Sequence, residues 1–359
     1  MDKVLLVSAL YKLKSKIDFN LYVERANDLI SNTFVDMVIF TEAPTVELLV
    51  KRDNLTIIVL ETQEWESNNF ATPEEFNSMI PLFQEAFFVK QREIDPKMIK
   101  MYMEKHIFVN RTIDMFPNYK YYIWNDVGVK IKPIRLFKKY LSTYPDFNKI
   151  DSLNLGDKIC FQMRRYPFES EKDRKIQIED VCHASIIGGG IYFGNKMAWK
   201  MFKILYRKTL EYFKSNNIFC GNDETLYFHI LMKYPKYATA FYTINPAIGI
   251  GIINDDIKYY GFFGGYILLS KDSPYKLTLF DTPEHIVGRA KRITWGEGED
   301  YYDVTDIINN LPLNKIILLD YSLFPYDPAK GKFKSLFFEY ENGKVDELKE
   351  YELFSIRST

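Results

Sequence analysis

The chain has 359 residues, 47% of them hydrophobic, and 47 basic against 48 acidic side chains leave a net charge of −1. That apolar content is ample for a core, and the balanced charge provides no global field for nucleic acid or an anionic membrane. No stretch approaches the roughly 20 apolar residues needed to span a bilayer. The length fits one large domain with a small one, or two of similar size. Cys160, Cys182 and Cys220 are odd in number and widely spaced. They make neither a disulfide framework nor a zinc pattern and read as reduced thiols of a cytoplasmic protein. Met1-Asp2-Lys3 leads straight into a strand-like run, so a secretory leader is not expected. Aromatic residues reach 16%. Tyrosine suits sugar and base binding, and it fills cores equally well.

In chain order, Val4–Leu10 reads as a first buried strand. Asp18 caps an amphipathic helix to Asn32, on apolar spacings near three and four. Val35–Thr41 and Leu55–Leu60 are further strands, with a short helix expected around Val46–Lys51. This alternation is that of a parallel α/β sheet. Thr72-Pro73-Glu74-Glu75 has the form of a helix start. Asp95-Pro96 repeats it and opens a helix to about Met115, which Pro117-Asn118 ends. A buried strand follows at 120–124. Leu136–Tyr140 reads as helical and Lys158–Met163 as a strand. Asn195–Lys214 and Asp223–Lys233 are helices, and Tyr237–Ile244 is a strand. Residues 245–283 show no clear period. Beyond them Arg289–Trp295, Asp300–Ile308, Lys315–Leu319, Ser335–Tyr340 and Tyr351–Ile356 are short strands or brief helices between turn signals, the pattern of a small β-rich module. The division expected is 1–283 and 284–359.

Three clusters carry residues with chemistry. Tyr121–Trp124 is a buried strand by composition, and Asn125 and Asp126 follow it, before Gly128. A carboxylate where a buried strand ends lies at the carboxyl edge of the sheet, where open α/β folds bind ligands. A hard divalent cation prefers carboxylate oxygens and takes substrate phosphates as further ligands. Asp126 is therefore the candidate to hold a metal against a diphosphate, although Asn-Asp-x-Gly is also an ordinary turn. Gly188, Gly189 and Gly190 surround Ile191-Tyr192-Phe193 and permit close approach of backbone to ligand, or form a turn or bulge. The Gly-Lys-Ser/Thr ending of a phosphate-binding P-loop is missing. Asn222-Asp223-Glu224 opens a helix. Its acids are default capping residues, or one of them is a general base on an acceptor hydroxyl. Lys105 and Arg111, on the helix before the central strand, could reach a diphosphate or belong to a solvated helix face. Arg164-Arg165 has the same two readings. His106, His183, His229 and His285 form no helix-facing pair suited to zinc. No Gly-x-Ser-x-Gly elbow and no kinase signature set is present.

Taken together, these segments resemble a nucleotide-sugar glycosyltransferase of the GT-A type, and more narrowly the HtrL/YibB family of putative glycosyltransferases. The resemblance is carried by Val4–Leu10, Val35–Glu42, Glu104–Asn110, Tyr122–Gly128, Gly189–Gly194 and Asn222-Asp223-Glu224, and covers roughly residues 1–250. It implies an α/β fold with a mixed, mainly parallel sheet flanked by helices. It implies that Ser8, Ala9, Leu10 and Tyr11 border the nucleoside, with Trp124 and Asn125 beside the donor. Asp126 would bind Mn²⁺ or Mg²⁺ on the diphosphate, and Gly189, Gly190 and Tyr192 would border the donor sugar. Asp223 would face the sugar or the acceptor, with Glu224 beside it. The usual Asp-x-Asp is broken, because Trp124 stands two residues before Asp126. A second ligand such as His285 or Asp255 would then be needed, or the metal site would be weak or absent. The tail from about 288 is open to acceptor binding or homodimer formation. The resulting expectation is a transferase moving a sugar from a nucleotide-diphosphate donor, UDP-sugar first, to a glycan or protein acceptor. A nucleotide-sugar hydrolase and a non-catalytic glycan- or protein-binding protein are the alternatives.

Overall fold

A computed structural model describes residues 3–13, 18–78, 96–127, 140–163, 187–216, 223–242, 269–272, 278–280, 286–311, 316–319, 323–326, 328, 334–349 and 353–356. Gly128, the 136–139 stretch, Arg164, Arg165, His183, Asn222, Asp255 and His285 lie outside them, as does most of 245–283. The chain divides into two compact units. The larger reaches Leu279, and the described part of the smaller begins at Phe280.

The larger unit is built on one sheet. Its strands are β1 (Val4–Leu10), β2 (Asp36–Thr41), β3 (Leu55–Val59), β4 (Tyr121–Asn125), β5 (Ile159–Met163), β6 (Ile187–Gly194), β7 (Ala238–Tyr242) and the three-residue β8 (Thr278–Phe280). They lie in the order β3-β2-β1-β4-β6-β5-β7-β8. β1 runs parallel to β2 and β4, β2 to β3, and β5 to β7. β6 runs antiparallel to both its neighbours, β4 and β5. The sheet is thus mixed and mainly parallel. An apolar run reveals that a strand is buried and not which way it points, so the sense of β6 was not legible.

The helices are α1 (Phe19–Asn32), α2 (Pro96–Met115), the short α3 (Phe147–Asp151), α4 (Lys196–Ser215) and α5 (Asp223–Lys233). Asp18 caps α1 by accepting from Asn20 N at 2.8 Å. The helix start at 72–75 is a reciprocal capping box. Thr72 N donates to Glu75 Oε2 at 2.6 Å, and Glu75 N donates to Thr72 Oγ1 at 3.2 Å. The helix expected at 46–51 is instead a 3-10 turn, Ala43–Leu48. Side chains alternate across the sheet with period two. Val4, Leu6, Leu10, Tyr121 and Ile123 join one core with Ala26, Leu29 and Ile30 of α1. On the other face Trp124 stacks on Phe108 of α2, with ring centroids 6.0 Å apart. Trp199 Nε1 of α4 donates to the Tyr122 carbonyl at 2.9 Å.

The smaller unit contains β9 (Ile286–Val287), β10 (Arg292–Glu297), β11 (Asp300–Asp303), α6 (Thr305–Asn309), β12 (Ile316–Leu318), β13 (Ser335–Glu339), β14 (Val345–Lys349) and β15 (Leu353–Ile356). Its sheets are β11-β10-β13-β14, all antiparallel, and β12-β15-β9. Ile293, Trp295, Val304, Ile308, Leu336 and Phe338 fill its own core. The stretch expected as one element at 300–308 splits into β11 and α6. β14 was not foreseen, because Val345-Asp-Glu-Leu-Lys349 carries three charges and too few apolar residues to signal a strand.

Candidate active site

Strand period fixes the first part of the site. Trp124 points toward α2, so Asp126, two residues later, points the same way. Trp124 Nε1 donates to Asp126 Oδ1 at 3.2 Å. Asp126 N donates to the Gly190 carbonyl at 2.8 Å, which ties the end of β4 to β6. The strand order reverses beside β1, with β2 on one side and β4 on the other. The carboxyl ends of β1 and β4 therefore flank the kind of crevice where open α/β sheets take ligands. Ser8 Oγ donates to the Asn125 carbonyl across that gap. The Tyr144 hydroxyl holds Asn125 Oδ1 at 2.9 Å.

Lys105 stands at the centre of the second part. α2 is buried through Met103–Val109, so a charge there must find a partner inside the protein. Lys105 Nζ donates to Asp223 Oδ2 at 2.7 Å, to Asp126 Oδ2 at 2.9 Å and to the Gly189 carbonyl at 3.0 Å. An ammonium has three protons, and these three acceptors match them. Its side chain is 2% exposed, against 4% for Asp223 and 30% for Asp126. Asp126 is thus the member of the cluster that meets solvent. The reading of Lys105 as part of a solvated helix face is corrected, because that face of α2 is covered by the sheet.

Asp223 and Glu224 open α5, where negative charge is favoured by the helix dipole. Asp223 Oδ1 accepts from Glu224 N at 3.0 Å, and Glu224 Oε1 accepts from Gly189 N at 3.2 Å. Both carboxylates are buried. A Cβ on Gly189 would lie 2.7 Å from Asp223 Oδ2. Glycine is required there so that this carboxylate can rest against the strand. All of Ile187–Gly194 is strand, and its pairing with β5 shifts register between Phe161 and Gln162.

Burial pushes the Asp223 carboxyl up to about 6, with Lys105 pulling it down and Glu224 and Asp126 pushing it further up. Burial alone would lower the Lys105 ammonium, but Asp126 and Asp223 outweigh it and raise it. Lys105 therefore stays charged throughout the neutral range.

The remaining expected residues are placed as follows. Ser8, Ala9, Leu10, Trp124, Asn125 and Tyr192 are buried, and so is Gly190. The Tyr11 ring packs edge-on to Trp65, its centroid 4.8 Å away, and its hydroxyl donates to the Leu60 carbonyl at 2.9 Å. The Tyr192 hydroxyl pairs with that of Tyr227 at 2.8 Å. Arg111 stands six residues beyond Lys105, about 9 Å along the helix, and donates to the Glu64 carbonyl at 3.3 Å. It belongs to a different cluster. Tyr144, Tyr102 and Tyr227 were missed. Tyr102 lies under the Lys105 ammonium at 5.0 Å, and only its position three residues before Lys105 on one helix face could have pointed to it.

The divalent ion expected at Asp126 does not fit the described residues. One oxygen of Asp126 faces Lys105 and the other faces Trp124. Among the described residues no three His, Cys, Asp or Glu side chains gather to hold an ion. His285 and Asp255, the expected second ligands, lie outside those residues.

No family model and no curated protein matches the chain. Two glycosyltransferases are among the solved structures similar to it at low identity. One is a glycosyltransferase involved in the glycosylation of the major capsid of PBCV-1, 13% identical, covering 66% of this chain and 80% of its own, with a TM-score of 0.31. The other is the PaToxG glycosyltransferase, 10% identical, covering 77% of this chain and 88% of its own, with a TM-score of 0.30. Both scores are low, and the architecture rests on the strand order and pairing above.

Proposed function

We propose that the protein is a glycosyltransferase that moves a sugar from a nucleotide-diphosphate donor, a UDP-sugar first, to a glycan or protein acceptor. The observation that carries this reading is the cluster at the carboxyl end of β4. There Asp126 stays partly exposed while Lys105, itself held by Gly189 and Asp223, fixes it from behind. Preorganised charge at the ligand edge of an α/β sheet is how such a site favours one orientation of a polar substrate. The resemblance of the same segments to GT-A enzymes supplies the substrate class.

In this reading Asp126 meets the donor and accepts hydrogen bonds from its sugar hydroxyls. Asp223 and Glu224 act on it through the frame they build with Lys105 and Gly189. The segment Ser8–Tyr11 forms the wall on the β1 side. Among the described residues no helix is long and apolar enough to cross a membrane.

Calorimetric titration with UDP and GDP, each in Mn²⁺ and in EDTA, tests the reading. Binding of one nucleotide, with loss of donor turnover in Asp126→Asn, is expected. No binding of either nucleotide under any condition overturns it. Product analysis with and without acceptors separates transfer from donor hydrolysis. A non-catalytic glycan-binding protein has one observation in its favour, the tie between Asp126 and Lys105. Turnover of any donor that Asp126→Asn abolishes would dispose of it.

A further inference from the structure

We infer that the cation of this site is the Lys105 ammonium, and that the nucleotide-free protein holds no divalent ion between Asp126 and Asp223. The inference rests on the reading above only for what the site binds. The geometry behind it stands by itself.

Two carboxylate oxygens and one carbonyl oxygen converge on a single point: Asp126 Oδ2, Asp223 Oδ2 and the Gly189 carbonyl. Such an all-oxygen set is what a hard divalent cation takes. Here the point is filled by Lys105 Nζ, at 2.7 to 3.0 Å from its three acceptors. Those are the lengths of charge-assisted N–H···O bonds, longer than the roughly 2.0–2.1 Å of Mg²⁺ to oxygen.

The lysine is also held in place. It projects from the buried middle of α2 and lies beside the Tyr102 and Trp124 rings, at 5.0 and 5.9 Å from their centroids. Its acceptors are fixed as well. Asp223 is pinned through its second oxygen to Glu224 N and rests on the Cα of Gly189. The second oxygen of Asp126 holds Trp124 Nε1. A divalent ion entering this set would sit against the ammonium's own charge, and no unused carboxylate oxygen of the pair faces the point of convergence. The broken Asp-x-Asp pattern fits this arrangement. Where a second acid would stand, Trp124 instead donates to the first.

The test uses Mn²⁺ as the probe and the nucleotide-free protein. Wild type is expected to melt at the same temperature in Mn²⁺ and in EDTA, and to leave the electron paramagnetic resonance signal of added Mn²⁺ unchanged. Lys105→Met empties the point of convergence. That variant is expected to bind Mn²⁺ and to melt several degrees higher with it, and the response is lost when Asp126→Asn is added. Stoichiometric Mn²⁺ binding by wild type that Asp126→Asn abolishes overturns the inference. So does a folded Lys105→Met protein that ignores Mn²⁺. Where Lys105→Met fails to fold, the wild-type titration alone decides. A protein that binds neither nucleotide under any condition sinks the transferase reading and leaves the lysine result untouched.

Discussion

Lys105, Asp223 and Gly189 depend on one another for their buried positions. Removing the ammonium strands two carboxylates, one of them fully enclosed. Lys105→Met should therefore cost about 3–5 kcal/mol in denaturant unfolding, the usual loss when one partner of a buried pair is deleted. Gly189→Ala should cost about 1–3 kcal/mol, as overpacking does. Its Cβ would come within 2.7 Å of a carboxylate that cannot yield because Lys105 holds it. A variant that melts like wild type would show that the strand can shift after all. Titration adds a third test. Asp223 releases its proton at about 6 in the folded chain, against an ordinary value of 3.8. Between those values the folded state holds more protons than the unfolded one, so stability falls as pH rises across that window. Asp223→Asn should flatten the slope in melts taken from pH 4 to pH 6. Lys105 contributes no slope there, because its raised value keeps its share of stability intact until strongly alkaline pH.

At the scale of elements, caps and periods were legible and burial of charge was not. Asp18, the 72–75 box and the start of α5 stood where short-range chemistry requires them, since a cap is satisfied by its own neighbours within three residues. Asn195 belongs with these. Its Oδ1 accepts from Ala198 N at 2.8 Å, and Asn195→Ala should cost about 1 kcal/mol by thermal melting. α2 behaves differently. Glu104, Lys105 and His106 are three consecutive polar residues in sequence, yet all three are buried. Glu104 accepts from Ser67 N at 2.7 Å and from Glu66 N at 3.1 Å, and burial raises its carboxyl. A helix that is covered all round gives no amphipathic signal for its charged residues. The partners of Glu104 and Lys105 come from segments 21 or more residues away, which no local spacing can announce.

At the scale of the whole molecule, each unit has its own apolar core. Trp295 is fully buried in the smaller one and packs on Phe324, with ring centroids 4.9 Å apart. Trp295→Ala should remove about 3–5 kcal/mol from that unit. It should lower a calorimetric transition while nucleotide titrations on the larger unit stay as in wild type. A uniform drop across all transitions would show that the two cores unfold together.

The sequence by itself determined β1 to β5, β7, α1, α2, α4 and α5 of the larger unit, the glycine-rich stretch, and the acid that closes the central strand. Each of these is written in residues close together, through side-chain period, caps and turn chemistry. Only the tertiary structure decided the antiparallel sense of β6, why Gly189 is a glycine, and that a lysine stands between Asp126 and Asp223. The reason is physical. Solvent exclusion decides whether a charge must be paired, and that exclusion exists only once β4, β6, α2 and α5 have closed around the same point.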